Sequence, residues 1–397
     1  MSKLKLLTAA LLCCLAASAA ANEGDRAFVG ATIIDGTGAA PLSDGVVVIS
    51  EGRVRAIGAR DDVTIPAGAD VIDVSGRTII PGLINAHGHV GGTLGLSGGH
   101  YNRENLQRQL SLYARYGITT VVSLGGDGPE GLALRNEQDH AGLSRARLFV
   151  AGDVITGNTE QQIRDRVNQV ADSGVDFIKV RVDDNLGNTQ KLPQPLFTAL
   201  VEQAHSRRLP VAVHLFYQDD ARFVLEQGAN LIAHSIRDED VDADFIDQLA
   251  QSGVCYIPTL TREVSTFVYE SEPEFFSDPL FLQEVEDDIL AALLEPARQQ
   301  RVRNSASAQA YKAALPVAMR NVAALHEAGI PIAMGTDSGP PARFQGYFEH
   351  LELSMMVESG MSPAAVIRSA TGVAAQCAGL ADLGTLEPGN WGDLVIL

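Results

Sequence analysis

Histidine is scarce in this chain, nine in 397 residues, and four of the nine close apolar, strand-like runs: His87 and His89 in IIPGLINAHGHV, His214 in PVAVHLF and His234 in NLIAHS. Side chains alternate along a strand with period two, so His87 and His89 point the same way, and Gly88 between them leaves room for a bound ion. Lys179 in DFIKVRV and Asp337 in AMGTDSG close two further runs, positions where a charge is costly to bury without partners. Each residue alone has an ordinary explanation, a hydrogen-bonded core histidine or a solvent-facing lysine. Together, neutral imidazoles, an amine and a carboxylate at strand ends make a site for divalent cations, Zn²⁺ first, with Mn²⁺, Fe²⁺ and Co²⁺ compatible with the same ligands.

A fold has to gather those ends. From Thr78 onward, apolar runs alternate with amphipathic stretches of helix length: RTIIPGLINAHGH, GITTVVSLG, RLFVAG, DFIKVRV, PVAVHLF, NLIAHS, VCYIPTL and PIAMGTDS. Near-continuous apolar strands suit a parallel sheet covered on both faces. Five are preceded by a helix ending in glycine (Gly117, Gly174, Gly228, Gly253, Gly329), which can take the left-handed conformation that stops a helix. Eight strands with intervening helices predict an α/β fold, a (β/α)₈ TIM barrel over 78–379 with its active site at the C-terminal strand ends. The six residues then fall on strands one, four, five, six and eight. An open doubly wound sheet is the alternative, but no GxGxxG opens its first helix. Residues 271–315 exceed what a barrel needs and read as a helical insertion, a solvated extension in preference to a lid or an oligomer contact. Residues 23–77, with short β-branched runs and glycine turns, join 380–397 in a small β-sandwich-like domain.

Against 30 Lys and Arg stand 49 Asp and Glu, a formal charge of −19, which argues against nucleic acid or an anionic membrane as partner. Lys3 and Lys5, an apolar run and small residues up to Asn22 form a secretory signal peptide over 1–22. The run is too short to span a membrane, and the residues before Cys13 and Cys14 are not the small ones a lipoprotein site prefers. Export to a periplasm-like or extracellular space is expected, with no stable membrane insertion after cleavage. Cys255 and Cys377 are expected as buried free thiols, since two cysteines do not make a disulfide-dependent framework.

IIPGLINAHGHV, IKV, VAVHLF, LIAHS, AMGTDSG and the closing SMMVESGMSPAAVIRSATGVAAQCAGLADLGTLEPGNWGDLVIL resemble strand ends and C-terminal run of the amidohydrolase superfamily across nearly the whole chain after the leader. Within it the sequence is most similar to the imidazolonepropionase-like branch that includes metal-dependent Xaa-Pro dipeptidases and carboxypeptidases. The resemblance implies two metal ions bridged by Lys179 carboxylated with CO₂, the first held by His87, His89 and Asp337, the second by His214 and His234. Two family features are missing: a Gly-Gly-His run after the third strand, and the glutamate two or three residues past His214 that deaminases use. The family often continues past the final DLVIL-type strand, so a truncated chain or a smaller β domain is expected here.

Water between two cations is acidified towards neutrality and supplies a bridging hydroxide. By that resemblance a metal on His214 and His234 would polarise a carbonyl, and Asp337 would take the hydroxide proton and pass it to the leaving nitrogen. Hydrolysis of an amide, of a dipeptide or N-acyl amino acid, is the leading reading. A lactonase, carbamate or organophosphate-type esterase on the same metals is the alternative, and a non-catalytic metal-containing binding protein is a third. An open carboxylate such as Asp337 counts against the last, because structural zinc is normally closed by four ligands. Candidate substrate contacts are Tyr217, which could donate to an oxyanion, Arg181, Arg237 and Arg343 as carboxylate clamps, and His100 and Tyr101 in the Gly-rich loop after strand one. Assembly with further copies of the chain is left open.

Overall fold

The computed structural model describes residues 24–397; the expected signal peptide over 1–22, with Cys13 and Cys14, lies outside the described residues. Alternating β-branched residues and glycine turns form β1 (Arg26–Ile33), β2 (Leu42–Ser50), β3 (Arg53–Ala59), β4 (Asp70–Asp73) and β5 (Thr78–Pro81). β1 pairs antiparallel with β2, and β2 with β3, while β4 and β5 run parallel to β1. Period-two alternation gives this sheet an apolar residue on each face: Ala27 and Val29 pack with Val46 and Val48, and Phe28 with Val47 and Val54 on the other side.

The barrel strands follow. They are β6 (Leu83–Gly88), then a short ribbon of β7 (Thr93–Leu94) and β8 (Ser97–Gly98), then β9 (Ile118–Ser123), β10 (Arg147–Val150), β11 (Ile178–Arg181), β12 (Val211–His214), β13 (Leu231–Ile232) and β14 (Cys255–Tyr256). β6, β9 and β10 form one parallel run and β11 to β14 another. Parallel bridges join the runs: Ile155 to Val180, Tyr256 to Ile332, and Ser338 back to Gly88. The ring closes, so the (β/α)₈ expectation holds. Its eighth position, 332–338, is not a continuous strand. The Met334 N–H donates to Ser369 O (3.1 Å) and Asp337 is left-handed at φ +56°, which breaks the ladder.

The helices between strands start and stop where the sequence says. Asn102, Thr159 and Asp242 cap helices 103–115, 160–172 and 243–252 by accepting from backbone N–H groups. Gly117, Gly174, Gly228, Gly253 and Gly329 have φ between +67° and +89°. The stretch from 271 is largely exposed, as a solvated extension would be, but apolar side chains anchor it to the barrel. Its short helices bury Phe276, Phe281 and Leu293, and Phe281 stacks at 4.9–5.4 Å on Phe275, Phe276, Phe344 and Tyr347. The helix that begins inside it, Ala306–Glu327, runs past 315 with Pro316 in its interior.

β15 (Leu394–Ile396) pairs antiparallel with β5 and completes a six-stranded sheet with the N-terminal strands. Trp391 is clasped between the guanidiniums of Arg53 and Arg147, each 3.9 Å from its ring. Among the described residues no helix is long and apolar enough to cross a membrane.

Cys255 and Cys377 correct the free-thiol expectation: they form a disulfide across 122 residues, tying β14 to the helix Gly372–Ala378. Nothing local couples two cysteines so far apart; only the barrel brings them together. Replacing both by alanine is expected to lower unfolding free energy by about 2–4 kcal/mol, read from urea melts, and to abolish the effect of reductant on the melt. Superimposable curves with and without reductant would contradict the bond.

Candidate metal centre

Backbone hydrogen bonds at the seam between first and eighth positions set the site. Thr336 N and Asp337 N donate to His87 O (3.1 and 2.7 Å), and His89 N donates to Ser338 O (2.8 Å). His89 Nε2 therefore meets Asp337 Oδ1 at 2.7 Å, with His87 Nε2 3.6 Å from the same oxygen. One ligand atom from each of these three residues lies within 4.8 Å of the others. Lys179 Nζ is 3.4 Å from His87 Nε2, and the His234 ring is 4.6 Å from that of His87 and 4.1 Å from that of His214. All six strand-end residues are thus gathered in one place.

Burial sets their charge. It holds His87 and His234 well below the usual imidazole range, with Lys179 adding to the first and His214 to the second, and it pushes His214 down to about 3. For His89 burial is outweighed by the hydrogen bond to Asp337, which raises it. For Asp337 burial is outweighed by Arg343 and His89, which keep its carboxyl well below the ordinary value. Burial brings Lys179 down to about 7, so a large share of its amine is neutral near that pH, the form that adds CO₂.

The donor set fits divalent cations. Three imidazoles have one nitrogen committed to the protein: His89 Nδ1 to Gly125 O (2.9 Å), His234 Nδ1 to Thr259 Oγ1 (2.7 Å), and His214 Nε2 to Asp183 Oδ2 (3.1 Å). The remaining nitrogen of His234 and of His214 is available for a ligand role, while that of His89 faces the Asp337 carboxylate, the other donor of its cluster. Thr259 holds its hydroxyl there at a left-handed φ of +53°, a strain that a β-branched residue adopts only when its surroundings impose it. Gly88 corrects one expectation. A Cβ there would sit 3.0–3.2 Å from Asn85, Val121 and Tyr113, not in the ion site, because alternation sends it to the face opposite the histidines.

Beneath the site lies a polar network. Asn85 accepts from His87 N (3.0 Å) and donates to Thr336 Oγ1 and Glu349 Oε1, while Thr336 and Ser338 also donate to Glu349. Glu352, a turn along the same helix, accepts from Leu260 N, Thr261 N and Thr261 Oγ1, each at 2.7 Å.

The proposed substrate contacts fare differently. Arg237 is sealed from solvent and pairs with Glu263 at 2.9 Å. Arg181 is turned onto Asp183. Arg343 ion-pairs with Asp337 itself. Tyr217 donates to Asp184 Oδ1 at 2.8 Å. Tyr101 is packed against Gly131, its hydroxyl buried without a hydrogen-bond partner, and His100 engages Gly92, Asn102 and Asn105 through its backbone. Side chains that reach farther than one residue choose partners that spacing cannot reveal.

Sequence reasoning missed Asp183 and Asp127. Asp183 is buried between His214 and Arg181; Asp127, raised to about 6 by burial, accepts from Ala151 N and Gly152 N. Both are acids just past apolar strands, the criterion that singled out Asp337. Glu349, Glu352 and Met356 share one face of the helix Tyr347–Glu358, an i, i+3, i+7 stripe in which two buried acids stand out.

The lowered histidines make stability of the metal-free chain pH-dependent. Unfolded imidazoles take up protons near pH 6.5, whereas His87, His214 and His234 in the fold do so only far lower, so stability falls as pH drops below about 6.5. The slope approaches about 1.4 kcal/mol per pH unit for each net proton, with His89 opposing. Urea midpoints at several pH values in chelator are expected to fall towards acid pH, with a shallower slope in His214→Gln; a flat profile would contradict the neutral imidazoles.

Over 384 residues the chain is 25% identical to imidazolonepropionase of Paracoccus denitrificans, covering 89% of this chain and 88% of that one. An uncharacterized protein of Mycobacterium tuberculosis is 26% identical over 281 residues, 69% of this chain and 67% of its own length. Among solved structures, a Xaa-Pro dipeptidase with bound methionine in the active site superposes with a TM-score of 0.74 at 21% identity, over 94% of each chain. The amidohydrolase family profile matches residues 78–397, and the chain belongs to that family of metal-dependent hydrolases acting on carbon–nitrogen bonds.

Proposed function

We propose that this chain is an exported, binuclear metal hydrolase that cleaves the amide bond of a dipeptide or an N-acyl amino acid. The observation that carries the reading is the convergence of His87, His89, Asp337 and Lys179 with His214 and His234 at the C-terminal mouth of the barrel. His87, His89 and Asp337 would hold one ion, His214 and His234 the other, and carboxylated Lys179 would bridge them. Zn²⁺ suits the nitrogen-rich donors best. Two such ions supply a polarised carbonyl and a water acidified towards neutral pH.

The protein's own part is geometric. Asp337, ionised and fixed by His89 and Arg343, stands ready to take a proton at Oδ1 and hand it to the leaving nitrogen. Gly125 and Thr259 hold the His89 and His234 tautomers, and the Asn85–Glu349 network keeps the first strand from shifting against the eighth. Similarity to imidazolonepropionase and to a Xaa-Pro dipeptidase structure supports carbon–nitrogen cleavage. The Cys255–Cys377 disulfide supports export, because oxidising compartments are where such bonds persist.

Metal-loaded protein assayed in parallel on dipeptides, N-acyl amino acids and lactones is expected to turn over the amides. Asp337→Asn is expected to lower kcat by about 10²–10⁴-fold. Lactone turnover with inert amides would overturn the amide assignment, and an unimpaired Asp337→Asn enzyme would remove the proton carrier.

A further inference from the structure

A cavity of about 560 Å³ opens between the β7–β8 ribbon, the inserted segment around Phe281–Ile289, and the loop after the eighth strand position. That volume falls in the range of small-molecule sites, roughly 300–1,000 Å³. Its inner wall is the back of the metal centre. Arg343 reaches from the cavity onto Asp337. Gly339 packs so tightly on His89 that a Cβ would lie 2.0 Å from the His89 carbonyl oxygen. Gln345 Nε2 donates to that same oxygen at 2.8 Å. The outer walls are mixed: Leu96, Leu112, Phe281, Ile289 and Phe344 give them an apolar part, and Arg108, Glu284, Glu286 and Asp288 a charged one. Insertion and ribbon meet overhead, where a Cβ on Gly95 would touch Ile289 Cδ1 at 3.1 Å.

We infer that this cavity receives a bulky apolar group of the substrate, a phenyl-sized or branched aliphatic side chain or acyl tail, whose carboxylate or carbonyl end lies at Arg343 beside Asp337. The inference rests on the hydrolase reading for the identity of the reacting end. It adds the substrate class: N-acyl amino acids or dipeptides with a large apolar group next to the scissile bond. The insertion, which builds one wall and anchors it through the Phe281 stack, becomes the element that sets this preference. The packing of Phe281 keeps the wall in place without a ligand, so the pocket is preformed and little ordering opposes binding.

The test uses two carboxylic acids that cannot be hydrolysed, 4-phenylbutyrate and butyrate, titrated calorimetrically into the metal-loaded full chain. Burial of the ring is expected to make phenylbutyrate bind about ten- to hundred-fold more tightly. Ile289→Trp and Leu96→Trp, which fill the cavity from opposite walls, are each expected to bring the two Kd values within about two-fold, with Tm and metal content confirming a folded chain. Equal Kd values in the wild type, or a ring preference that survives both substitutions, would overturn the pocket. Ring preference without turnover of any amide would remove the hydrolase reading and leave the pocket standing.

Discussion

The contact between Asp337 and His89, 2.7 Å across the seam of the barrel, is the interaction on which the rest of the site depends. A buried carboxylate needs compensation for its lost hydration, and here it comes from His89, Arg343 and the nearby His87. Those partners hold their places because the first strand and eighth segment are joined by backbone bonds at Ala86, His87 and His89 and by side chains meeting at Glu349. The left-handed backbone at Asp337 is part of the same arrangement: it turns the carboxylate inward at the cost of a regular ladder.

Burial also explains why the cluster is poised for cations. Imidazoles kept neutral by a dry, crowded setting retain the lone pairs that coordinate a metal, and an amine brought to about 7 is ready for carboxylation near neutral pH. Beside that cluster, the space bounded by the ribbon after the first strand and the inserted helices offers aliphatic and aromatic side chains interspersed with charged ones for the inferred recognition of substrate.

The parts of this structure that were legible in the sequence are those governed by local periodicity. Strand-end histidines declare themselves because apolar runs are short and alternate with helices of regular length, and the glycines that stop those helices have no other reason to recur. The family resemblance of the same runs drew attention to Lys179, whose Nζ lies 3.4 Å from His87 Nε2. Hidden from sequence were pairings over long separations: Cys255 with Cys377, Asn85 with Glu349, Phe281 with Phe344. The partners of the arginines were hidden for a related reason. A long flexible side chain near a predicted site can serve a buried acid as readily as a substrate, and Arg237 on Glu263 and Arg181 on Asp183 do so. Acids at strand ends, weighted as heavily as histidines, would have exposed Asp127 and Asp183.

In the proposed centre two ions share Lys179. The most direct test of that sharing is metal content per chain by mass spectrometry, on protein purified without chelator in the presence of bicarbonate, for the wild type and for Lys179→Met. About two equivalents in the wild type and about one or fewer in the variant are predicted, since loss of a bridging ligand weakens both ions. Full loading of Lys179→Met, or no metal in the wild type after reconstitution, would contradict the account.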